Sequence, residues 1–242
     1  MLDMITVTSL TKTYGRNLTA VDDVSFTAAT GRVTGFLGPN GAGKSTTMRV
    51  MVGLTPATSG TVTIDGQRFV DLPNPGTQVG VLLDASAQHA GRSGREVLRL
   101  TVDVLGVDRR RVPELLERVG LPPSDARKRV GQYSLGMRQR LGIAQAMVGD
   151  PSVLILDEPA NGLDPEGIVW MRGLLRDFAD RAGTVLLSSH LLHEVEAVAD
   201  NLVVIHHGRI VAQGGKADLL ASSGGSLERL FLGLTAAASV AA

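Results

Sequence analysis

The amino-acid sequence predicts an α/β fold, in which a mostly parallel sheet is flanked by helices. Three observations support this prediction. Short apolar segments alternate with segments of helical periodicity, as residues 153–156, 165–182 and 184–187 illustrate. A glycine-rich loop separates the apolar run 33–37 from a segment that can form a helix. Within residues 4–36, apolar and polar residues alternate, which predicts an additional antiparallel β subdomain at the N-terminus.

Composition limits the classes of protein to consider. The chain has 242 residues, zero formal net charge and no cysteine. This length suits one large domain, and the lack of cysteine excludes disulfides and thiolate metal sites. Balanced charge disfavours electrostatic gripping of nucleic acid as the main function. The N-terminus lacks a signal-peptide pattern, and no apolar run approaches the ~20 residues of a membrane helix, so we expect a soluble chain.

The glycine-rich loop matches the phosphate-binding pattern G-x-x-x-x-G-K-[ST]. It comprises Gly38, Pro39, Asn40, Gly41, Ala42, Gly43, Lys44, Ser45 and Thr46. Glycines let such a loop curl so that backbone N–H groups point at phosphate oxygens, and the following helix N-terminus adds partial positive charge. Lys44 can reach the β- and γ-phosphates, and the Ser45 hydroxyl can ligate Mg²⁺. The alternative is a glycine-rich turn without a ligand. We predict a P-loop NTPase core.

Two carboxylates follow the apolar run 153–156. Asp157 and Glu158 stand where that strand is expected to end, and ligands of open α/β sheets bind at the carboxyl ends of the strands. Asp157 suits coordination of Mg²⁺, and Glu158 suits activation of a water molecule for attack on a γ-phosphate. The alternative is an acidic pair that only ends a strand.

A third pattern occupies residues 133–141. Ser134 precedes a segment with apolar residues at Leu141, Ala144 and Val148, so it is a natural N-cap. A hydroxyl at a helix N-terminus can also bind phosphate, whereas the simpler interpretation is a capped helix.

The helical periodicity divides the chain. Residues 1–83 and 150–220 are predicted to form the β/α core, residues 84–149 an inserted helical subdomain, and residues 221–242 a C-terminal tail. The first inserted helix is predicted to bury one face, made by Val97, Leu98, Thr101, Val104 and Leu105. We interpret the run 109–111, which is three arginines, as a solvated helix end.

The motifs and their order resemble the nucleotide-binding subunits of ATP-binding cassette (ABC) transporters over nearly the whole chain. In that family's terms, the Walker A loop is 38–46, the signature 133–137, the Walker B segment 153–158, the D-loop 161–164, the switch histidine His190 and the adenine-stacking aromatic Tyr14. Residues 227–232 are similar to the corresponding segment of the drug and antibiotic exporter subgroup.

This resemblance implies a site shared between two subunits in a head-to-tail dimer. The Walker A residues of one subunit hold ATP with Mg²⁺, and Ser134 and the Gly136 backbone of the other contact its γ-phosphate. Glu158 is then the general base, His190 holds the γ-phosphate and attacking water, and Asp164 links the two sites. Tyr14 stacks on adenine.

Two departures from the family pattern affect the expected site. The signature of the family is usually Leu-Ser-Gly-Gly-Gln. In this chain Leu135 replaces a glycine and Met137 replaces the glutamine, which predicts an altered contact with phosphate. The glutamine expected after residues 79–83 is missing. Asp84 takes its place by spacing and can ligate Mg²⁺, while Gln88 follows four residues later.

The resemblance predicts an ATPase subunit that drives a separate membrane permease, for export, from the cytoplasmic face of the membrane. Its expected partners are that permease and a second copy of the chain, with no nucleic acid. Three alternatives remain. They are a non-transport ABC ATPase acting on nucleic acid, ribosomes or protein complexes, a P-loop kinase or GTPase, and a cassette that binds ATP without hydrolysing it.

Overall fold

The computed structural model describes residues 3–15, 17–221 and 224–240. Parts of the C-terminal tail predicted at 221–242 therefore lie outside the described residues. The strands are β1 (Asp3–Tyr14), β2 (Leu18–Ala29), β3 (Val33–Leu37), β4 (Ser59–Ile64), β5 (Val79–Leu82), β6 (Val153–Asp157), β7 (Thr184–Ser189), β8 (Asn201–His206) and β9 (Arg209–Gly215). The helices are α1 (Lys44–Met51), α2 (Gly94–Leu105), α3 (Arg111–Arg118), α4 (Pro123–Ala126), α5 (Leu135–Ala146), α6 (Pro165–Asp180), α7 (Leu192–Val198), α8 (Lys216–Ala221) and α9 (Leu227–Val240).

The larger sheet has six strands in the order β5-β6-β7-β3-β8-β9. Its first five strands are parallel, and β9 is antiparallel to β8. Every residue of β3, β6 and β7 is buried, as in parallel sheets that are covered on both faces. The predicted parallel α/β core is confirmed, and β8 and β9 form a hairpin at its edge.

The smaller sheet is antiparallel, in the order β2-β1-β4, and confirms the predicted N-terminal β subdomain. Tyr14 is the last residue of β1. The two sheets share one apolar cluster, in which the rings of Phe26 and Phe36 stack with centroids 5.2 Å apart. Because Phe36 is fully buried, its truncation to alanine would cost about 3–5 kcal/mol.

The inserted segment is helical, as predicted, and packs on the main core through α2, α3 and α5. One detail of the prediction is wrong, since Val104 is 82% exposed. The buried face of α2 is centred between Leu98 and Val102, and Val104 lies at its margin near the end of the helix. Arg109 and Arg110 are exposed and pair with Asp103 and Asp108, which agrees with a solvated helix end. Arg111 departs from the prediction, because it is half-buried, pairs with Asp150 and donates to the Met147 carbonyl.

The C-terminal region adds α8 and α9 beside β9, and α9 extends well beyond the predicted 227–232. Leu227 at its start is fully buried. Within the part of the chain that the structure describes, no helix combines the length and apolar character needed to cross a bilayer.

Candidate nucleotide-binding and catalytic site

The register of the parallel strands brings three predicted motifs to one edge of the sheet. Leu37 at the end of β3 pairs with Ser189 of β7, and Ser188 of β7 pairs with Asp157 of β6. The P-loop, the acidic pair and the segment leading to His190 therefore leave the sheet side by side. This edge is the carboxyl end of the strands, where α/β sheets bind ligands.

Two glycines of the P-loop are required by close backbone contacts. A Cβ on Gly43 would lie 2.4 Å from the carbonyl oxygen of Ala20, and φ at Gly43 is +109°. A Cβ on Gly38 would lie 2.4 Å from the carbonyl oxygen of Ile205. Strands β2 and β8 thus press against the loop and hold its curl, so that α1 begins at Lys44 with its N–H groups directed into the loop.

The loop encloses an open groove of about 200 Å³. It is lined by Ala20, Asn40, Gly41, Gly43, Lys44, Ser45, Thr46 and Glu158. The side chain of Lys44 is only 6% exposed, and its Nζ donates to the carbonyl oxygens of Gly38 at 2.7 Å and Pro39 at 3.3 Å. Burial lowers the pKa of Lys44, against the opposing effect of Glu158 and Asp157. The groove thus combines backbone donors, hydroxyls and a cation.

Asp157 and Glu158 are held by Ser188. The Ser188 hydroxyl donates to the buried carboxylate of Asp157, and the amide of Glu158 donates to the Ser188 hydroxyl at 3.1 Å and carbonyl at 3.2 Å. Glu158 has φ of +50°, in the left-handed region that non-glycine residues rarely adopt. The two carboxylates consequently take separate directions, with Asp157 buried beside β7 and Glu158 facing the groove.

The carboxylate of Glu158 lies between two nitrogen-bearing side chains. Its Oε2 is 2.8 Å from His190 Nδ1 and accepts from the His190 amide at 3.3 Å, and its Oε1 is 3.8 Å from Lys44 Nζ. A carboxylate at the mouth of a phosphate-binding loop, oriented by an imidazole, can accept a proton from an attacking water molecule. The structure therefore brings together Lys44, Glu158 and His190, with Asp157 behind them.

The signature residues lie outside this groove. Ser134 caps α5 by accepting from the Met137 amide at 3.1 Å, which confirms the predicted N-cap. A Cβ on Gly136 would lie 2.6 Å from the Gly162 carbonyl oxygen, so the signature touches the D-loop of its own chain. Asp164 in that D-loop caps α6 by accepting from the Gly167 amide at 2.8 Å. Neither Ser134 nor Gly136 nor Asp164 lines the groove.

Tyr14 and Asp84 also stand apart from the groove lining. Tyr14 is 38% exposed, and Lys12 Nζ lies 4.9 Å from its ring centroid. The Asp84 carboxylate accepts from the amide and hydroxyl of Ser86, and these bonds lower the pKa of Asp84. Gln88 donates from Nε2 to the carbonyl of Arg138 at 3.2 Å.

Sequence reasoning missed two residues at this site. Ser188 precedes His190 by two residues and belongs to no motif of its own, yet it holds both carboxylate-bearing residues. Gln139 is 4% exposed, and its Nε2 donates to the Glu158 carbonyl at 3.1 Å. Gln139 lies on the same stripe of α5 as Gly142, Ile143 and Ala146, which are buried. A polar residue in a buried apolar stripe is the signal that could have identified it.

This fold and this site define a P-loop NTPase. The chain belongs to the ABC transporter family, whose sequence model matches residues 21–161. It is 40% identical over 216 residues to the bacitracin transport ATP-binding protein BcrA of Bacillus licheniformis, covering 88% of this chain and 70% of that protein. It is 38% identical over 212 residues to the lantibiotic transport ATP-binding protein SrtF of Streptococcus pyogenes, covering 87% of this chain and 90% of that protein.

Similarity to solved structures supports the same family. The structure of an ATP-binding subunit of an ABC transporter superposes with a TM-score of 0.86 at 30% identity, covering 96% of this chain and 99% of that chain. The cassette MJ0796, solved as a dimer with ADP and phosphate, has a TM-score of 0.81 at 23% identity, covering 88% of this chain and 98% of that one, and shares the fold. The predicted family is confirmed, and the chain is an ATP-binding, ATP-hydrolysing subunit of an ABC transporter rather than a kinase or GTPase.

Proposed function

We propose that this chain drives export of a drug, antibiotic or lipid-like compound through a separate membrane permease. Membership of the ABC transporter family supports the transport role, and relatives named for bacitracin and lantibiotic transport support the class of substrate. The observation that carries the catalytic part is the Glu158 carboxylate, 2.8 Å from His190 Nδ1 and 3.8 Å from Lys44 Nζ, at the mouth of the P-loop groove.

In the proposed mechanism, the Walker A residues hold the phosphates of ATP. The backbone of Gly38, Gly41 and Gly43, the side chains of Asn40 and Thr46, and Lys44 contribute, and Tyr14 stacks on the adenine. Glu158 accepts the proton of the attacking water, and His190 keeps that water in line with the γ-phosphate. Catalysis is mostly positioning together with charge stabilisation by Lys44 and the N-terminus of α1.

The oxygen donors near the groove fit Mg²⁺. Hydroxyl and carboxylate oxygens are the ligands that this ion prefers. Ser45 would supply one from the groove lining, and Asp157 and Asp84 would supply others from outside that lining. Among the described residues no cluster holds three or more acidic or histidine side chains suited to a metal. Mg²⁺ is usually held by one or two carboxylates, water and the phosphates themselves. The ion would neutralise charge on the β- and γ-phosphates.

The groove is about half a nucleotide site. Its volume of about 200 Å³ falls below the ~300–1,000 Å³ of typical ligand pockets, and it is open. Ser134 and Gly136 lie outside it, and Leu135 beside them is 50% exposed. We propose that a second copy, placed head to tail, closes the groove with these signature residues. Asp164 lies in the D-loop that touches the signature, so it would join the same interface.

The permease is expected to dock beside residues 84–100, at the cytoplasmic face of the membrane. A groove of about 590 Å³ lies next to this segment, lined mostly by residues 113–126, with Arg95 as the one lining residue from 84–100. The rival function is a non-transport ABC ATPase acting on nucleic acid, ribosomes or a protein complex. Zero formal net charge disfavours a nucleic-acid partner. Co-purification of the chain with a multi-span membrane protein distinguishes the two functions, since a soluble partner alone would support the rival.

The role of Glu158 is tested by Glu158→Gln. Loss of a general base typically costs about 10²–10⁴-fold in rate, so kcat for ATP hydrolysis should fall by at least a hundredfold. ATP should still bind, and the dimer should accumulate because hydrolysis no longer reopens it. The matched control is Glu114→Gln, the same change at an exposed position on α3. Turnover of Glu158→Gln at the wild-type rate would refute the assignment.

A further inference from the structure

The peptide groups on both sides of Glu158 are hydrogen-bonded to other elements. Its N–H donates to Ser188 of β7, and its carbonyl accepts from Gln139 of α5. The φ of +50° between them belongs to a sparsely populated region. Such a conformation persists in a non-glycine residue only where the surroundings determine it. The Glu158 N–H has two acceptors on Ser188, its carbonyl oxygen and its hydroxyl, and the Glu158 carbonyl also accepts from the Asn161 amide at 3.2 Å. Of these hydrogen bonds, only the one from Gln139 is made by a side chain outside the sheet.

Gln139 is a buried amide whose hydrogen bond is made to the Glu158 carbonyl. Its side chain is buried within α5, where an amide is costly unless it is hydrogen-bonded. Nε2 donates to the Glu158 carbonyl at 3.1 Å, while Oε1 is buried without a partner among the described residues. A hydrophobic residue would fill the position without that cost. The presence of an amide at this buried position therefore points to a role for the one hydrogen bond that its side chain makes, with the Glu158 carbonyl.

We propose that Gln139 is a positioning residue for the catalytic carboxylate. By holding the Glu158 carbonyl, it keeps the left-handed backbone that directs the carboxylate between His190 and Lys44. Because Gln139 lies five residues after Ser134 on the same helix, it also ties the catalytic base of one subunit to the signature that faces the other. The inference rests on the proposed role of Glu158 as the base.

Gln88, in the segment before α2, also contacts α5. Gln88 donates to the carbonyl of Arg138, next to Gln139, and to Oε1 of Gln145 one to two turns further on. A displacement of residues 84–88 would therefore shift α5 and, through Gln139, the carboxylate of Glu158. This gives the proposed permease-docking region a mechanical route to the catalytic base.

Two substitutions separate positioning from packing. Gln139→Met keeps a similar volume but removes the donor. Gln139→Glu keeps the shape, and its carboxyl can donate to the Glu158 carbonyl only when protonated. Burial raises the pKa of a carboxyl group, so protonation falls within reach of assay pH. Displacing a catalytic group by about 1 Å can cost 10²-fold in rate, so we expect Gln139→Met to lower kcat ten- to a hundredfold, with ATP affinity within twofold of wild type.

The pH profile is the readout that packing alone would not change. The ratio of kcat for Gln139→Glu to wild-type kcat should rise at least fivefold as pH falls from about 8.5 to 6, whereas the ratio for Gln139→Met should stay constant. Gln67→Glu and Gln67→Met are the matched controls, since Gln67 is exposed just after β4 and lies outside both α5 and residues 84–88. Their ratios to wild type should not depend on pH.

The outcomes decide between the two claims. Constant ratios for Gln139→Glu across pH, or kcat within twofold of wild type for Gln139→Met, would overturn the positioning role. If Glu158→Gln is inactive while the Gln139 variants are not impaired, the base assignment stands and this inference fails. Wild-type turnover in Glu158→Gln would instead refute the base assignment. Should Gln139→Met fail to fold by circular dichroism, the change with pH in the ratio of Gln139→Glu kcat to wild-type kcat still decides.

Discussion

Ser188→Ala is the perturbation that tests the architecture of the acidic pair most directly. The Ser188 hydroxyl is fully buried, donates to the Asp157 carboxylate and accepts from the Glu158 amide. Alanine removes both bonds and adds no atom. The Glu158 amide keeps the Ser188 carbonyl at 3.2 Å as an acceptor, so the main loss falls on Asp157.

The magnitude follows from these contacts. A hydrogen bond to a charged group contributes about 1.5–3 kcal/mol, and a neutral one about 1 kcal/mol. Since the amide of Glu158 retains one acceptor, the free energy of unfolding should fall by about 2–3 kcal/mol. Ser189→Ala is the matched control, because Ser189 is also buried and loses only a neutral bond from the Leu191 amide at 2.9 Å. It should cost about 1 kcal/mol.

The assay has two parts. Urea unfolding compares the two variants, and a Mg²⁺ titration of ATP hydrolysis measures the concentration for half-maximal activity. With Asp157 no longer oriented by Ser188, that concentration should rise severalfold in Ser188→Ala and stay unchanged in Ser189→Ala. Equal unfolding free energies and equal Mg²⁺ requirements in the two variants would refute the reasoning.

Three further predictions follow from other contacts. Gly43→Ala should weaken ATP binding more than tenfold, measured by nucleotide titration. It should also lower the free energy of unfolding, measured in urea, by about 1–3 kcal/mol for the left-handed backbone alone. Gly41→Ala, where a Cβ meets nothing within 4 Å, should bind ATP more tightly than Gly43→Ala does. Burial opposes ionisation of Asp200, but hydrogen bonds from a backbone amide and from Arg176 hold its pKa below the usual value. The contribution of Asp200 to stability is therefore present above about pH 4 and lost as pH falls through its folded-state pKa. In Asp200→Asn, the free energy of unfolding should consequently decrease less steeply with falling pH than in the wild type. Asp84→Asn should raise the Mg²⁺ requirement if Asp84 is a ligand, and an unchanged requirement would remove it from the proposed set.

Features set by local pattern were predictable from the sequence. The order of strands and helices, the P-loop and the cap at Ser134 each follow from residue types at short spacing. The convergence of Asp157 and Glu158 with the P-loop was also predictable, because carboxyl ends of parallel strands share one edge. The proximity of His190 came from the family resemblance, since nothing in its local sequence distinguishes it from a polar residue at a strand end.

The remainder depends on tertiary contacts that a sequence does not display. Val104 fits the helical period of α2, but only the neighbouring helices determine where the buried face is centred. The bond from Gln139 to Glu158 joins residues 19 positions apart through an amide and a carbonyl, and neither group carries a motif. Asp84 was predicted from spacing alone as a metal ligand, whereas its contacts with Ser86 follow from a turn that spacing does not specify.

The close approach of Gly136 to the Gly162 carbonyl limits how mutational results at the signature can be interpreted. A methyl group at Gly136 would collide with the D-loop backbone before it could alter a phosphate contact. A variant with any larger residue there would therefore displace the turn that carries Asp164, and so would a variant at Gly162, whose φ is +73° and whose Cβ would meet Leu135. Loss of activity in either variant would reflect the backbone contact between the signature and the D-loop. The separate contributions of the two motifs to activity could be measured only with substitutions of side chains outside that contact.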